Sequence, residues 1–402
     1  MEVLKNEKDE QVRCEVTVEK FFKLIKNACI YAPEYIGKRD ILIAGKTIIT
    51  IEENINFPLF DLEIYDATGL IAIPGLIDPH VHITGGGGEG GFSTRTPELR
   101  ISDCIKNGVT TAIGCLGTDG ITRSLENLYA KAKAMEEIGI STYIYTGSYS
   151  VPPVTFTGSI QKDIILIDKV IGVGEIAISD HRSSQPTFEE IVKIVADARV
   201  GGMIAKKPGI VNFHVGNGER GIEILFEIVK RTEIPIKHIY PTHISRGKKL
   251  FEQGLEFAKL GGVIDLTALQ PEENSEFGFN TVDAIIQSFD NNLIENVTIS
   301  SDGQGSLPKF DKNGNFVGLG VGSVGALLYT IKKVVERGIK LDETLKIATV
   351  NTAKVFNFSK KGRIAKDFDA DIVFLRDWEV VSVISRGEFL MKDGILKPIN
   401  FE

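Results

Sequence analysis

Eight short apolar runs constrain this chain more than any other feature: Leu76–Ile83, Thr110–Cys115, Thr142–Thr146, Val173–Ser179, Ile210–Val215, His238–His243, Val263–Thr267 and Val297–Ser301. Stretches of helical periodicity separate them. Strand-like runs alternating with helices are the pattern of βα units and a parallel sheet. Eight in succession predict an α/β fold, a (β/α)8 TIM-like barrel over residues 73–359, roughly 280 residues, which is an ordinary size for that architecture. The flanks read differently. Arg39–Ala44, Thr47–Ile51 and Glu63–Asp66 near one end, and Asp371–Leu375, Val380–Ile384 and Glu388–Met391 near the other, are short β-like runs with turn signals between them. They resemble each other more than either resembles the middle, which predicts a small discontinuous β-sandwich domain built from residues 1–72 and 360–402. A helix is expected within it near Phe21–Asn27.

Barrels carry their chemistry at the C-terminal ends of their strands, and the metal-capable residues fall there. His80 and His82 stand two apart in the first run, so period-two geometry turns both imidazoles to one face. His214 ends the fifth run and His243 the sixth; Asp302 follows the eighth. Any one strand-end histidine is more often hydrogen-bonded than ligating, but these five groups in barrel register form a candidate site for a divalent metal. Of the six histidines, His181 and His238 stand outside the set. His238 begins its strand and is expected at the opposite mouth, in a structural role.

The basic residues are dispersed and the net charge is −8, which argues against nucleic acid as a partner. No apolar stretch is long enough for a membrane span, and the charged opening MEVLKNEKDEQVR is not that of a signal peptide. Cys14, Cys29, Cys104 and Cys115 are scattered without a CxxC pair, the pattern of free thiols in a reducing cytoplasm.

Several longer motifs carry a resemblance. They are Pro74–His82 (PGLIDPHVH), Gly85–Glu89 (GGGGE), Thr94–Pro97 (TRTP), Gly117–Asp119 (GTD), Thr146–Tyr149 (TGSY), Ala177–Arg182 (AISDHR), Pro241–His243 (PTH) with Arg246, and Ser301–Ser306 (SDGQGS). With these the chain resembles the amidohydrolase superfamily, and within it the isoaspartyl (β-aspartyl) dipeptidases, over nearly its whole length. The His-x-His strand is common to the superfamily, whereas the glycine run with Glu89 and the Ser-Asp-His-Arg segment are particular to the dipeptidases.

The resemblance implies a zinc metallohydrolase with two Zn2+ per subunit. His80, His82 and Asp302 would hold the more buried ion, and His214 and His243 the other. The family bridges its two ions with a carboxylated lysine, and here the sequence departs: Glu175 stands at that position, seven residues before Arg182. A glutamate can bridge two cations without modification, although it is shorter by about three bonds, so the backbone must come closer or the ions must shift. The alternative is a site with a single metal. Lys206 and Lys207 lie too far along to replace the lysine.

The implied reaction is hydrolysis of β-aspartyl dipeptides by a hydroxide bridging the metals, since a metal-bound water can have a pKa near 7 compared with about 15.7 in bulk. Asp302 would serve as general base and then acid, with Tyr149 donating to the oxyanion. Glu89 would pair with the substrate ammonium, and Arg182 and Arg246 with carboxylates. Ser306, Thr118 and the backbone of Gly87 would add contacts. The resemblance also implies a homo-oligomer, with an octamer as its candidate size. Competing readings are another amidohydrolase, such as an N-acyl-amino-acid deacylase or a cyclic-amide hydrolase, and a non-catalytic assembly protein of the same fold. Two glycine motifs are set aside. Gly320–Gly325 matches GxGxxG but shows no clear strand before it, and the run from Gly85 lacks the Gly-Lys-Ser/Thr of a P-loop, reading instead as a mobile substrate loop.

Overall fold

The computed structural model describes residues 20–58, 61–271, 279–310 and 316–400. Cys14 and the opening segment through residue 19 lie outside the described residues. All eight expected barrel strands form: Leu76–Val81, Val109–Gly114, Ser141–Thr146, Val170–Ile178, Ile210–Val215, Ile239–Thr242, Ile264–Thr267 and Val297–Ser300. The first six pair in sequence order as one parallel sheet, and the last two pair with each other. Side chains join the two groups. Thr242 and Tyr240 on the sixth strand both donate to Asp265 on the seventh, at 2.6 and 3.0 Å. The barrel closes where Asp78 of the first strand accepts from the backbone and hydroxyl of Ser301, at 3.0 and 2.5 Å, and where Val81 bridges to Gly303. Nearly every residue of these strands is buried on both faces, as a parallel sheet covered by helices requires.

Local chemistry starts and stops the helices. Thr187 and Glu190 form a reciprocal capping box ahead of the helix Phe188–Ala205. Ser124 caps Leu125–Ile138 by accepting from the backbone of Asn127, and Gly139 at φ +124° ends it. At the end of Phe188–Ala205, Lys206 adopts the left-handed conformation, and Lys207 donates to the carbonyls of Ile164, Ile167 and Val170. Both lysines thus stand at the end of that helix.

The terminal segments share one nine-stranded sheet. Ile71–Pro74 lies between Phe22–Tyr31, which it pairs in parallel, and Ile372–Arg376, which it pairs antiparallel. The two ends also share a core that includes Ile25, Ile41, Ile43, Ile372, Phe374 and Ile384. The expected helix near Phe21–Asn27 is instead part of the strand Phe22–Tyr31. The apolar residues at 21, 22, 24 and 25 fit either period. Hydrogen bonding to a partner on each edge, Tyr35–Ala44 and Leu62–Asp66, decides for the strand. A second correction concerns Gly320–Gly325: a strand, Phe316–Val321, does run into it. That strand pairs antiparallel with Ser306–Phe310, so no βαβ nucleotide-binding unit results.

A buried ion pair joins sheet and barrel. Lys361 donates to Asp371 at 2.7 Å and lies 3.0 Å from Asp369, while the backbone carbonyl of Asp371 accepts from Gly75 at the entrance to the first barrel strand. Burial pushes the Lys361 ammonium down, but the two carboxylates more than offset it and hold it above its ordinary value. A group stabilised in its charged form contributes fully below its unfolded pKa, about 10.4 for lysine, and loses that contribution as pH rises through the folded value. Lys361→Met should therefore destabilise the protein at pH 7 by about 3 kcal/mol, because it strands a buried carboxylate. Urea denaturation checks this, and the gap from wild type should narrow above about pH 10.

Candidate metal centre

The five expected groups do converge. His80 sits on the first strand and His82 one residue past it, both buried, with ring centroids 5.4 Å apart. His214 lies on the fifth strand and His243 just after the sixth. Their rings are 4.7 Å apart, and His243 is 5.3 Å from His80. Asp302, two residues past the eighth strand, places Oδ1 3.2 Å from His82 Nε2 and 3.7 Å from His80 Nε2. The carboxylate of Glu175, fully buried on the fourth strand, stands among all four imidazoles. Its oxygens lie 3.4 Å from His80, 3.5 Å from His82, 3.1 Å from His214 and 3.7 Å from His243.

The outer nitrogens are held by neighbours. His80 Nδ1 is 3.0 Å from the Asn212 side-chain oxygen, and His243 Nδ1 is 2.7 Å from Thr267 Oγ1. Such supports fix ring orientation and tautomer in metal sites. Burial pushes Glu175 up, but the charge of His80 and the bonds from His214 and His243 hold its carboxyl well below the usual range. Burial likewise pushes Asp302 up, and His82, His243 and His80 more than offset it. His243 is held well below its ordinary value, by burial first and the Arg246 charge next, and so presents a neutral ring, the ligating form.

These residues fit a metal. One ligand atom from each of His80, His82, Cys115 and Glu175 can be chosen so that all lie within 4.8 Å of one another; the same holds for Glu175, His214 and His243, and for His80, His243 and Asp302. Glu175 Oε1 is buried without a hydrogen-bond partner. A buried carboxylate oxygen with no donor is costly, and a cation among these groups would resolve it.

The surrounding residues also gather. Tyr149, buried after the third strand, has its hydroxyl 2.8 Å from His214 Nδ1. Burial first and the Glu175 charge next hold that phenol well above its ordinary value, so it stays protonated. Arg182 and Arg246 both reach His214 Nε2, at 3.3 and 3.1 Å, and the Arg182 guanidinium lies over the Tyr149 ring. Glu89 pairs with Arg182 at 3.2 Å. Gly87 sits beside Ser306, 3.4 Å from a Cβ built on the glycine, and at φ +68° with Thr94 O 2.5 Å from that position it admits no side chain. Ser306 Oγ is buried and unpartnered. Thr118 is half-buried in the loop whose Gly117 carbonyl accepts from Tyr149 N at 3.3 Å. Arg123 and Thr96 pin the base of the glycine loop: Arg123 donates to the carbonyls of Thr84, Gly86 and Thr96, and the Thr96 hydroxyl bonds Gly86 and Gln304. His238 is buried against the Gly209 carbonyl at 2.9 Å, and His181 is exposed.

Two residues at the ligand cluster escaped the sequence reading. Asp180 pairs with Arg182 at 2.8 Å and lies 3.0 Å from His214 Nε2. Cys115, expected only as a free thiol, is free and buried, but among the ligands. Asp180 was visible in the Ser-Asp-His-Arg motif; Cys115 sits at the end of an apolar run and carried no signal.

Residues 71–390 match the amidohydrolase family. This chain belongs to that family. Amidohydrolases are metal-dependent enzymes, and the buried cluster is a metal-capable centre of the matching kind. A crystal structure of the β-aspartyl dipeptidase of Fervidobacterium islandicum AW-1 in complex with β-Asp-Leu is 68% identical to this chain. It covers 95% of this chain and 100% of its own, with a TM-score of 0.89. The dihydropyrimidinase of Brevibacillus agri, 17% identical over 93% of this chain and 96% of its own, shares the fold at a TM-score of 0.64. The adenine deaminase of Thermosipho melanesiensis is 24% identical over 94% of this chain. The chain spans only 60% of that protein and 52% of its Listeria monocytogenes counterpart. Among the described residues no helix is long and apolar enough to cross a membrane.

Proposed function

We propose that this amidohydrolase is a zinc-dependent dipeptidase acting on β-aspartyl linkages. The observation that carries the reading is a rim of one carboxylate and two guanidiniums, Glu89, Arg182 and Arg246, at the ligand cluster. A β-aspartyl dipeptide brings one ammonium and two carboxylates beside its amide bond, the complementary set. The 68% identity with an enzyme crystallised on β-Asp-Leu supports it.

His80, His82 and Asp302 would hold one cation and His214 and His243 a second, with Glu175 between them. Metals so held supply Lewis acidity and ionise water near neutral pH. Asp302, ionised beside His82, takes the proton from the attacking water and delivers it to the leaving amine nitrogen. The protonated hydroxyl of Tyr149 donates to the oxygen of the scissile carbonyl as charge develops on it. Glu89 accepts from the substrate ammonium, Arg182 and Arg246 orient its carboxylates, and Ser306 Oγ has hydrogen-bonding capacity to spare. Gly87 and Thr118 shape the approach.

The deciding assay sets β-Asp-Leu against α-Asp-Leu, N-acetyl amino acids and cyclic amides, with cleavage of the β-linked peptide foremost. Failure on that peptide with turnover of an N-acyl or cyclic amide overturns the assignment. Tyr149→Phe should lower kcat by about 10²–10³-fold while leaving bound metal unchanged, as loss of one oxyanion donor does elsewhere. Stopped assays with metal analysis on the same samples check this.

A further inference from the structure

We propose that Cys115 is a further ligand of the His80–His82–Asp302 seat, which with Glu175 becomes a closed zinc–thiolate site, while the other seat, Glu175–His214–His243, is the open one. The inference rests on the metallohydrolase reading and deepens it. Cys115 directly follows the second barrel strand, and its backbone N–H donates to Val81 O at 3.0 Å, which sets its side chain against the His-x-His pair. Sγ lies 3.6 Å from His80 Nε2, 3.8 Å from His82 Nδ1 and 3.6 Å from the Val81 carbonyl. The residue is fully buried.

Two of the spacings are those a tetrahedral cation imposes. With zinc–sulfur near 2.3 Å, zinc–nitrogen near 2.05 Å and zinc–oxygen near 2.1 Å, tetrahedral angles place sulfur about 3.6 Å from nitrogen, and nitrogen about 3.4 Å from oxygen. Here Cys115 Sγ to His80 Nε2 is 3.6 Å, and His80 Nε2 to Glu175 Oε2 is 3.4 Å. A second, independent observation belongs to the same cluster: Glu175 Oε1, buried and without a hydrogen-bond partner, lies 3.5 Å from His82 Nε2, while Nδ1 of that ring is the nitrogen nearer the thiol. A thiol buried for packing alone has no reason to stand this near two imidazoles, in a cluster that also holds an unpartnered carboxylate oxygen.

Four protein ligands fill a zinc coordination sphere, as in structural sites, whereas three leave a position for a reactant. The seat with three faces Tyr149, Arg182 and Arg246, the residues placed on the substrate. A thiolate also biases its seat toward zinc over magnesium or manganese. On binding, the Sγ–H bond breaks, its proton passes to solvent, and the sulfur lone pair goes to the cation.

Zinc-edge X-ray absorption on the purified holoenzyme tests the assignment. One sulfur scatterer at about 2.3 Å per two zincs is expected. Cobalt-substituted protein should show thiolate-to-cobalt charge transfer in the near ultraviolet. Cys115→Ala should abolish both signals and weaken binding of the tighter cation by about tenfold or more. A wild-type spectrum with nitrogen and oxygen scatterers alone overturns the thiolate ligand and leaves the hydrolase reading standing. Protein that takes up no stoichiometric cation overturns both.

Discussion

Asp302→Asn should lower kcat by about 10²–10⁴-fold, the range that general acid–base catalysis supplies. The amide preserves the size of a side chain packed so closely that a Cβ on Gly305 would fall 2.4 Å from its Oδ1. It cannot take up a proton from water. Because the carboxyl is held well below its usual range, it is ionised throughout the neutral range in wild type, the form a proton acceptor requires. The variant should bind β-Asp-Leu with little change in KM and fold normally by circular dichroism. Steady-state kinetics with metal analysis on the same samples separate the roles. A rate within tenfold of wild type would remove Asp302 from the proton path. A loss of metal matching the loss of rate would make it chiefly a ligand.

Glu175→Ala should lower bound metal and kcat/KM together, the latter by about 10³-fold or more. Metal electrostatics are worth several kcal/mol in the transition state, and each 1.36 kcal/mol is a factor of ten. The reason lies in the position: this carboxylate lies within 3.7 Å of all four imidazoles, two from each seat. Unchanged metal content would remove Glu175 from the ligand set. Glu175→Lys is the sharper experiment. Recovery of activity on adding bicarbonate would show that a carboxylated lysine, the usual bridge in this superfamily, still fits between these seats.

Much of the architecture could be read in the sequence because two periodicities coincide with function. The eight apolar runs are buried on both faces, and all eight become barrel strands. The strand-end rule then places His80, His82, His214, His243 and Asp302 together, as the structure has them. Cys115 was illegible for the same physical reason that made its strand legible. A small apolar residue closing an apolar run looks like core, and only lateral pairing with the first strand reveals what it touches. Asp180 is similar: a carboxylate in a motif says nothing of its reach until the fifth strand sets His214 opposite. At Phe22–Tyr31 a short apolar cluster satisfied two periods, and hydrogen bonding on both edges, which no local window contains, chose between them. Arg123 is another such case, since its three carbonyl partners come from two separate loops.

The placement of Ile71–Pro74 between Phe22–Tyr31 and Ile372–Arg376 has a bearing on biosynthesis. On the ribosome, this strand emerges long before its late partner, Ile372–Arg376. Throughout elongation of the barrel the nascent protein therefore exposes a bare edge, the kind of surface that recruits other chains. That edge is covered only once the segment from Ile372 onward has cleared the exit tunnel, so the sheet is completed last.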